Sequence, residues 1–121
     1  MVSRKAIVHN MMRGLGGYAF VVLALRGCPF SEQAATQFPR ASRKVIWLSR
    51  AQQDVLDRVR HAFRHPTFPI CLAVPLFRYT LAQMTVSQLQ RRPPHLIKLG
   101  GMSDISECVA AAQGQENVTH R

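Results

Sequence analysis

The longest uninterrupted apolar run in the chain extends from Tyr18 to Leu25. It combines aromatic, β-branched and aliphatic residues between two glycine-containing segments, which is typical of a strand buried in a sheet. A membrane-spanning helix requires roughly 18 apolar residues, and no window of the sequence approaches that length. The 121 residues are therefore expected to form one globular domain that does not enter a membrane.

Further apolar segments alternate with amphipathic ones along the chain. Their spacing predicts three more strands, at residues 44–49, 68–74 and 96–99, and three helices, at residues 31–38, 52–64 and 103–112. Ser103 is the expected N-cap of the last helix. Residues 75–94 are predicted to be an insertion with one or two helical turns. The order β-α-β-α-β-β-α predicts an α/β domain with a mixed sheet and helices packed on it.

The two ends of the chain differ in composition from the middle. Residues 1–17 are basic and contain no acidic residue, so they are expected to form a leading helix or an irregular terminus. A mitochondrial transit peptide is the alternative, although hydroxyl residues are few there. Residues 113–121 are expected to be a polar, frayed tail. The domain itself is expected to occupy residues 18–112.

The chain is strongly basic, with 16 Lys and Arg against 6 Asp and Glu and a net charge of +10. Such an excess favours acidic partners: nucleic acid, an acidic protein surface, anionic lipid or anionic small molecules. No RNA-binding signature or aromatic stacking platform accompanies the charge. The basic side chains around the second helix are therefore expected to be a solvated face, formed by Arg40, Arg43, Lys44, Arg58, Arg60 and Arg64.

The three cysteines, Cys28, Cys71 and Cys108, are too few and too scattered for a disulfide framework. Their odd number leaves at least one free thiol, which favours a reducing compartment inside the cell. The cytoplasm is the expected location, with a mitochondrial destination as the alternative. Cys71 and Cys108 lie in apolar segments and are expected to be small core residues.

Cys28 stands where a strand passes into a helix, in the segment Cys28-Pro29-Phe30-Ser31. Unpaired N–H groups and the helix dipole stabilise a thiolate at such a position, and Arg26 is expected to help. Pro29 suits the first helical position, because it lacks an N–H group that would be unpaired there. Ser31 takes the place of the second cysteine in a C-x-x-C motif and can donate a hydrogen bond to the thiolate. By itself the segment also fits a buried, unreactive cysteine.

Two further segments add to this picture. Thr67-Phe68-Pro69 precedes an apolar strand, and residues 100–104, Gly-Gly-Met-Ser-Asp, join a strand to a helix. With Cys28-Pro29-Phe30-Ser31, these segments occur in the order found in the glutaredoxin family. The chain resembles that family in its one-cysteine form, over residues 18–112 apart from the insertion at 75–94.

The resemblance implies a thioredoxin-like fold with a four-stranded mixed sheet, and a glutathione-dependent thiol–disulfide oxidoreductase. Cys28 would be the nucleophile and Ser31 its neighbour, with glutathione as co-substrate and glutathionylated proteins as partners. A cis Pro69 would present the backbone of Phe68 to glutathione, and Gly101 would allow close approach. The first turn at Ser103 and Asp104 would hold the γ-glutamyl end. The implied glutathione site comprises Arg26, Pro29, Phe30, Thr67, Phe68, Pro69, Gly101, Ser103 and Asp104.

The chain departs from the family pattern at two places. Family members usually carry a lysine three residues before the reactive cysteine, where this chain has Leu25. Arg26 is the nearest cation, and its offset by one residue changes the direction from which it would reach the glycine carboxylate of glutathione. Ser31 in place of a second cysteine excludes a dithiol mechanism through that position.

Two other functions remain open at the level of the sequence. One-cysteine relatives can hold a two-iron two-sulfur cluster between two protomers, each of which supplies its cysteine and a glutathione. Pro29, where such carriers have glycine, disfavours this reading. The other is a non-catalytic structural or assembly module whose basic surface faces nucleic acid or an acidic protein. No protein-held metal site is expected, because His61 and His65 lack an obvious third ligand and are expected to face solvent.

Overall fold

The computed structural model describes residues 3–15, 17–77, 79–92 and 94–119, with the backbone alone for Ala41 and for residues 112–119. The helices are α1 (Arg4–Met12), α2 (Pro29–Ala35), α3 (Gln53–Phe63), α4 (Val86–Gln90) and α5 (Met102–Thr119). The strands are β1 (Tyr18–Leu25), β2 (Arg43–Leu48), β3 (Ile70–Pro75) and β4 (Ile97–Gly100). The predicted α/β class, with a four-stranded mixed sheet flanked by helices, is confirmed.

The sheet has the strand order β2-β1-β3-β4. β1 and β2 are parallel, whereas β3 runs antiparallel to β1 and β4 antiparallel to β3. The last residues of β1, β2 and β4 and the first residues of β3 therefore meet at one edge of the sheet. We call it the C-terminal edge of β1. The segments that follow or precede the strands there come from four distant parts of the sequence.

Both faces of β1 are covered, which explains its uninterrupted apolar sequence. Phe20, Val22 and Ala24 belong to a core that also holds buried residues of α1, α2 and α5. The alternate residues of β1 belong to a second core with α3 and with the segment between β3 and β4. Met84 and Leu89 of that segment are buried there. The predicted insertion is thus part of the cover of the sheet, with a short 3-10 turn at Leu81–Gln83 before α4.

The leading segment forms helix α1, one of the two structures expected for it. The Ser3 hydroxyl accepts a hydrogen bond from the N–H group of Ala6 at 3.1 Å and so caps the helix. Ile7, Val8 and Met11 are buried in the core that α1 shares with α5. At the other end of the chain, the residues predicted to be a frayed tail from 113 onward are helical through Thr119. The segment contains no proline, the residue that most strongly interrupts a helix.

Several element boundaries differ from the predicted ones, most at β3, α2 and α5. β3 begins at Ile70 rather than at residue 68, since Phe68 and Pro69 form a loop. α2 begins at Pro29 and ends at Ala35, earlier than the predicted helix. Gly101, not Ser103, is the N-cap of α5, because its carbonyl accepts the hydrogen bond from the N–H group of Ile105 at 3.1 Å. None of the helices in the described part of the chain has the length and apolarity needed to span a membrane.

Candidate functional site

The C-terminal edge of β1 gathers the three motifs that the sequence singles out. Cys28 follows β1 after a turn at Gly27, whose φ of 79° favours glycine. Phe68 and Pro69 precede β3, and the turn at Gly100 and Gly101 follows β4. The motifs are distant in sequence and become neighbours because β3 runs antiparallel to both of its partners.

Cys28 is the N-cap residue of α2 and has an extended backbone, with φ of −99° and ψ of 116°. Pro29 occupies the first turn, as predicted, and the carbonyl of Cys28 accepts the hydrogen bond from the N–H group of Glu32 at 3.1 Å. The thiol is half-buried, and its Sγ atom lies 4.0 Å from the carbonyl oxygen of Phe68. Solvent and a reaction partner can therefore reach the sulfur.

Ser31 is fully buried beside the cysteine. Its Oγ atom accepts a hydrogen bond at 2.9 Å from the N–H group of Leu25, the last residue of β1. The hydroxyl also favours the thiolate form of Cys28 and so helps to lower the pKa of that thiol. One side chain thus fixes the end of the strand and favours the thiolate, and the sequence predicted only the second of these roles.

Opposing effects act on the pKa of Cys28, and their sum lowers it. Burial alone raises the pKa, because it disfavours the charged thiolate. The backbone N–H and the hydroxyl of Ser31, together with the backbone N–H of Phe30, stabilise the thiolate and outweigh burial. The positive charge of Arg50 adds to this effect. A lowered pKa raises the fraction of thiolate, which is the nucleophilic form, at any pH below the ordinary value.

The charge that lowers the pKa of Cys28 is that of Arg50, whereas the sequence suggested Arg26. The guanidinium of Arg26 lies over the ring of Trp47, 5.9 Å from its centroid. Arg50 follows β2, whose parallel pairing with β1 places both strand ends together. Arg50 is 22 residues from Cys28 in the sequence, so its neighbours in the sequence do not connect it with the thiol. Parallel pairing of the two predicted strands would have placed Arg50 at the same edge of the sheet as Cys28.

The loop before β3 lies against Cys28. The Phe68–Pro69 peptide bond is cis, both residues are buried, and Thr67 is exposed. Arg60 of α3 lies over the ring of Phe68, with its Cζ atom 5.2 Å from the centroid. Pro29 and Phe30, which follow Cys28, face solvent, and Phe30 is 61% exposed. Exposed residues therefore adjoin the half-buried thiol.

The turn after β4 packs against the same loop. A Cβ atom on Gly101 would lie 3.6 Å from the carbonyl oxygen of Pro69 and 2.9 Å from Nε2 of His65. The Asp104 carboxylate accepts a hydrogen bond from the N–H group of Gly101 at 2.9 Å through Oδ2. Ser103 is exposed in the first turn of α5. The structure thus brings the turn close to Pro69, and one oxygen of Asp104 is already occupied.

His65 is a second residue that the sequence placed wrongly, since it is half-buried rather than facing solvent. It follows the left-handed residue Arg64 at the end of α3, and this turn directs the chain back toward the sheet. Burial lowers the pKa of His65, and the charge of Lys98 lowers it further, against the opposite effect of Asp104. The imidazole therefore favours its neutral form beside Gly101.

The other two thiols are buried and free. Burial raises the pKa of Cys71, in β3, to about 12 and also raises the pKa of Cys108, in α5. Both are core residues, as predicted. In the part of the chain that the structure describes, no three His, Cys, Asp or Glu side chains form a group that could hold a metal ion.

A cavity of about 220 Å³ lies between β3 and the inserted segment. Its lining residues are Val74, Tyr79, Gln83, Met84, Gln88 and Leu89. Val74 stands at the end of β3 away from Ile70, so the cavity is remote from Cys28. It takes no part in the arrangement around the thiol.

Comparisons of the chain with protein-family models, with curated proteins and with solved structures find no match.

Proposed function

We propose that this chain is a glutaredoxin-like thiol–disulfide oxidoreductase with a thioredoxin-like fold, which reduces protein–glutathione mixed disulfides by a monothiol route. The observation that carries the proposal is the environment of Cys28. The thiol is half-buried, has a lowered pKa and lies 4.0 Å from the carbonyl oxygen of Phe68. Cys28 itself begins helix α2, beside Ser31. The strand order and the positions of the three motifs agree with the resemblance seen in the sequence.

The proposed reaction proceeds through two exchanges at sulfur. The Cys28 thiolate attacks the glutathione sulfur of a mixed disulfide, forms a Cys28–glutathione disulfide and releases the protein thiolate, which takes a proton from water. A glutathione thiolate then attacks the glutathione sulfur bound to Cys28. Oxidised glutathione leaves, and the Cys28 thiolate is restored. In the sum of the two exchanges, the protein sulfur is reduced from disulfide to thiol and the sulfur of the added glutathione is oxidised from thiol to disulfide, while the glutathione sulfur of the substrate stays in a disulfide throughout.

The residues around Cys28 have different roles in the proposed mechanism. The N–H groups of α2 and the hydroxyl of Ser31 stabilise Cys28 both as nucleophile and as leaving group. The backbone of Phe68 is proposed to align the peptide part of glutathione. The first turn of α5, with Asp104, is proposed to receive its γ-glutamyl end. Oδ2 of Asp104 already holds Gly101, so the ammonium group would bind through the other oxygen.

The test is turnover of a glutathionylated peptide by the full-length chain in the presence of reduced glutathione. Cys28→Ser is expected to abolish turnover, because the thiolate is the nucleophile. Cys108→Ser is the matched control and is expected to retain it, since that sulfur is buried in the core. Activity that survives Cys28→Ser would exclude the proposal.

The two other functions have distinct signatures in the same preparations. A cluster carrier would be brown when purified without oxygen and would lose its visible absorbance on Cys28→Ser. A non-catalytic module would show no turnover, an unreactive Cys28 and binding to a DNA duplex that weakens steeply with salt. Turnover that depends on Cys28 and on glutathione selects the oxidoreductase.

A further inference from the structure

Two arginine side chains at the C-terminal edge of β1, the edge that carries Cys28, lie against aromatic rings. Arg26, two residues before the cysteine, has its Cζ atom 5.9 Å from the ring centroid of Trp47. Arg60 lies 5.2 Å from the ring centroid of Phe68, the residue whose carbonyl oxygen neighbours the sulfur. A third arginine, Arg50, acts on the thiol through its charge. We call Arg26, Arg50 and Arg60 the arginine rim.

The three arginines come from three separate elements. Arg26 follows β1, Arg50 follows β2 and Arg60 belongs to α3. The N–H group of Arg26 donates to the carbonyl oxygen of Leu48 at 2.9 Å, which ties the two strand ends together. The topology therefore directs cations from different parts of the sequence to the edge that carries Cys28.

A guanidinium beside an aromatic ring can still bind a carboxylate. The ring attracts the positive charge through its π electrons, and the planar group keeps N–H groups that can donate to a carboxylate. A carboxylate accepts two parallel hydrogen bonds from such a group. Because the side chain is already held in place by the ring, little rotamer freedom is lost when the carboxylate binds.

The rim retains much of its donor capacity. Among the residues that the structure describes, Arg26 and Arg50 form no ion pair. Arg60 pairs with Asp57 through Nη1 at 3.0 Å, and its side chain is 32% exposed, so part of the guanidinium remains open to solvent. Two carboxylates stand at the same edge, Glu32 and Asp104, and Asp104 already holds Gly101. Three arginines from three elements are more than one bound tripeptide requires.

We infer that the arginine rim selects its substrate proteins, by binding acidic side chains that flank the glutathionylated cysteine. The preferred partner is an extended acidic segment of a protein, with its mixed disulfide placed over Cys28. The inference rests on the proposed function, since it names the class of protein that the site would act on. The net charge of +10 adds long-range attraction for such segments.

The binding test uses the full-length Cys28→Ser variant, which cannot react, and three fluorescent peptides of equal length. The peptides carry glutamate, glutamine or lysine around one glutathionylated cysteine. The glutamate peptide is expected to bind about fivefold more tightly than the glutamine peptide at low salt, the lysine peptide least tightly, and the difference is expected to shrink as salt rises. Equal affinities for the three peptides would overturn the inference, whatever the enzyme assay gives.

A matched pair of variants on α3 distinguishes the effect of the arginine rim on binding from the effect of the net positive charge. Arg60→Gln is expected to lose most of the glutamate preference. Arg58→Gln, two residues away and paired with Asp54 on the exposed surface, is expected to keep it. An equal loss in both variants would assign the preference to net charge and overturn the role of the rim.

Turnover by the native chain distinguishes the inference from the function on which it rests. If the function holds, kcat/KM is expected to be about fivefold higher for the glutamate peptide than for the glutamine peptide. Turnover without that preference would overturn the inference alone. If no peptide is turned over, the proposed oxidoreductase function is wrong, and the binding test alone then shows whether the arginine rim prefers acidic segments. A DNA duplex that displaces the glutamate peptide and loses affinity on Arg60→Gln would reassign the rim to nucleic acid.

Discussion

The surroundings of the three cysteines differ in whether they stabilise or destabilise the thiolate. Helix N–H groups and Ser31 lower the pKa of Cys28, whereas burial raises the pKa of Cys71 and of Cys108. At neutral pH, iodoacetamide is therefore expected to label Cys28 first in the folded chain. The labelling rate should rise with pH through a midpoint below 9.0, the ordinary value for a thiol. Mass spectrometry of the alkylated peptides measures both the site and the rate.

The unfolded chain provides the control for this experiment. In denaturant the three cysteines are expected to label at similar rates, since their different environments are lost. Equal labelling in the folded chain, or a midpoint for Cys28 at or above 9.0, would show that its surroundings do not stabilise the thiolate.

Ser31 connects the stability of the fold with the reactivity of the site. In Ser31→Ala, the buried N–H group of Leu25 loses its acceptor, which is expected to lower the free energy of unfolding by about 1–3 kcal/mol. The same change removes the hydroxyl that stabilises the thiolate, so the pKa of Cys28 is expected to rise. Chemical denaturation and pH-dependent alkylation measure the two effects.

Thr36→Ala is the matched control, because the Thr36 hydroxyl lies exposed at the end of the same helix and donates to Gln33. It is expected to leave the pKa of Cys28 unchanged. If Ser31→Ala also left both quantities unchanged, Ser31 would have no part in holding the thiol.

At the scale of elements, the adjacent glycines between β4 and α5 are expected to differ in their tolerance of a side chain. Gly100 has a φ of 115°, and a Cβ atom there would clash with the Asp104 carboxylate. Gly100→Ala is therefore expected to lower the free energy of unfolding by about 1–3 kcal/mol. A Cβ atom on Gly101 would meet the far end of the His65 side chain, which can move, so Gly101→Ala should cost less.

A double variant checks the reason for the smaller effect. Gly101→Ala combined with His65→Ala is expected to be less destabilised than the sum of the two single changes, because the contact is removed. Thermal and denaturant unfolding of the four proteins give the coupling. Strict additivity, or a larger loss for Gly101→Ala than for Gly100→Ala, would contradict this account of the turn.

The elements also show what the sequence could predict. β1 and the amphipathic face of α3 follow from apolar spacing, and the three motifs occur at the predicted junctions. The N-cap of α5 could not be predicted from the sequence, because serine is a more usual cap residue than glycine. Gly101 occupies the cap position, and the Asp104 carboxylate accepts a hydrogen bond from its N–H group. The leading segment left two structures open, since the partner that buries Ile7 and Val8 is a helix far along the chain.

At the scale of the whole molecule, the topology determines which charges meet. The sequence contains thirteen arginines, and their neighbours in sequence do not show which of them lie near Cys28. Parallel pairing of β1 with β2 brings Arg50 to the thiol, and the position of α3 places Arg60 over Phe68. Arg26, the nearest cation in sequence, lies over the ring of Trp47, a residue of β2. The charge around the site is thus a property of the fold rather than of one motif.

The folded chain as a whole should become less stable at alkaline pH because of Cys71. This thiol is buried in the core that the sheet shares with α1, α2 and α5, and its pKa is raised to about 12. In the unfolded chain it ionises near the ordinary value of 9.0. A raised folded-state pKa gives stability that is complete below the unfolded value and is lost as pH rises toward the folded value. Cys71 should therefore remove about 1.4 kcal/mol per pH unit between these two values.

Comparison with Cys71→Ala isolates this contribution from other alkaline titrations. The variant is expected to be less stable at neutral pH, because a buried atom is lost, and to show a shallower decline above pH 9.0. Cys28→Ser is the control, because the pKa of Cys28 is shifted in the opposite direction, downward. A lowered folded-state pKa gives a contribution to the free energy of unfolding that is constant above the unfolded value. The decline in stability of Cys28→Ser above pH 9.0 should therefore keep the slope of the native chain. Denaturant unfolding at successive pH values gives the three slopes. Equal slopes for the native chain and Cys71→Ala would mean that the sulfur of Cys71 ionises as easily in the folded chain as in the unfolded one.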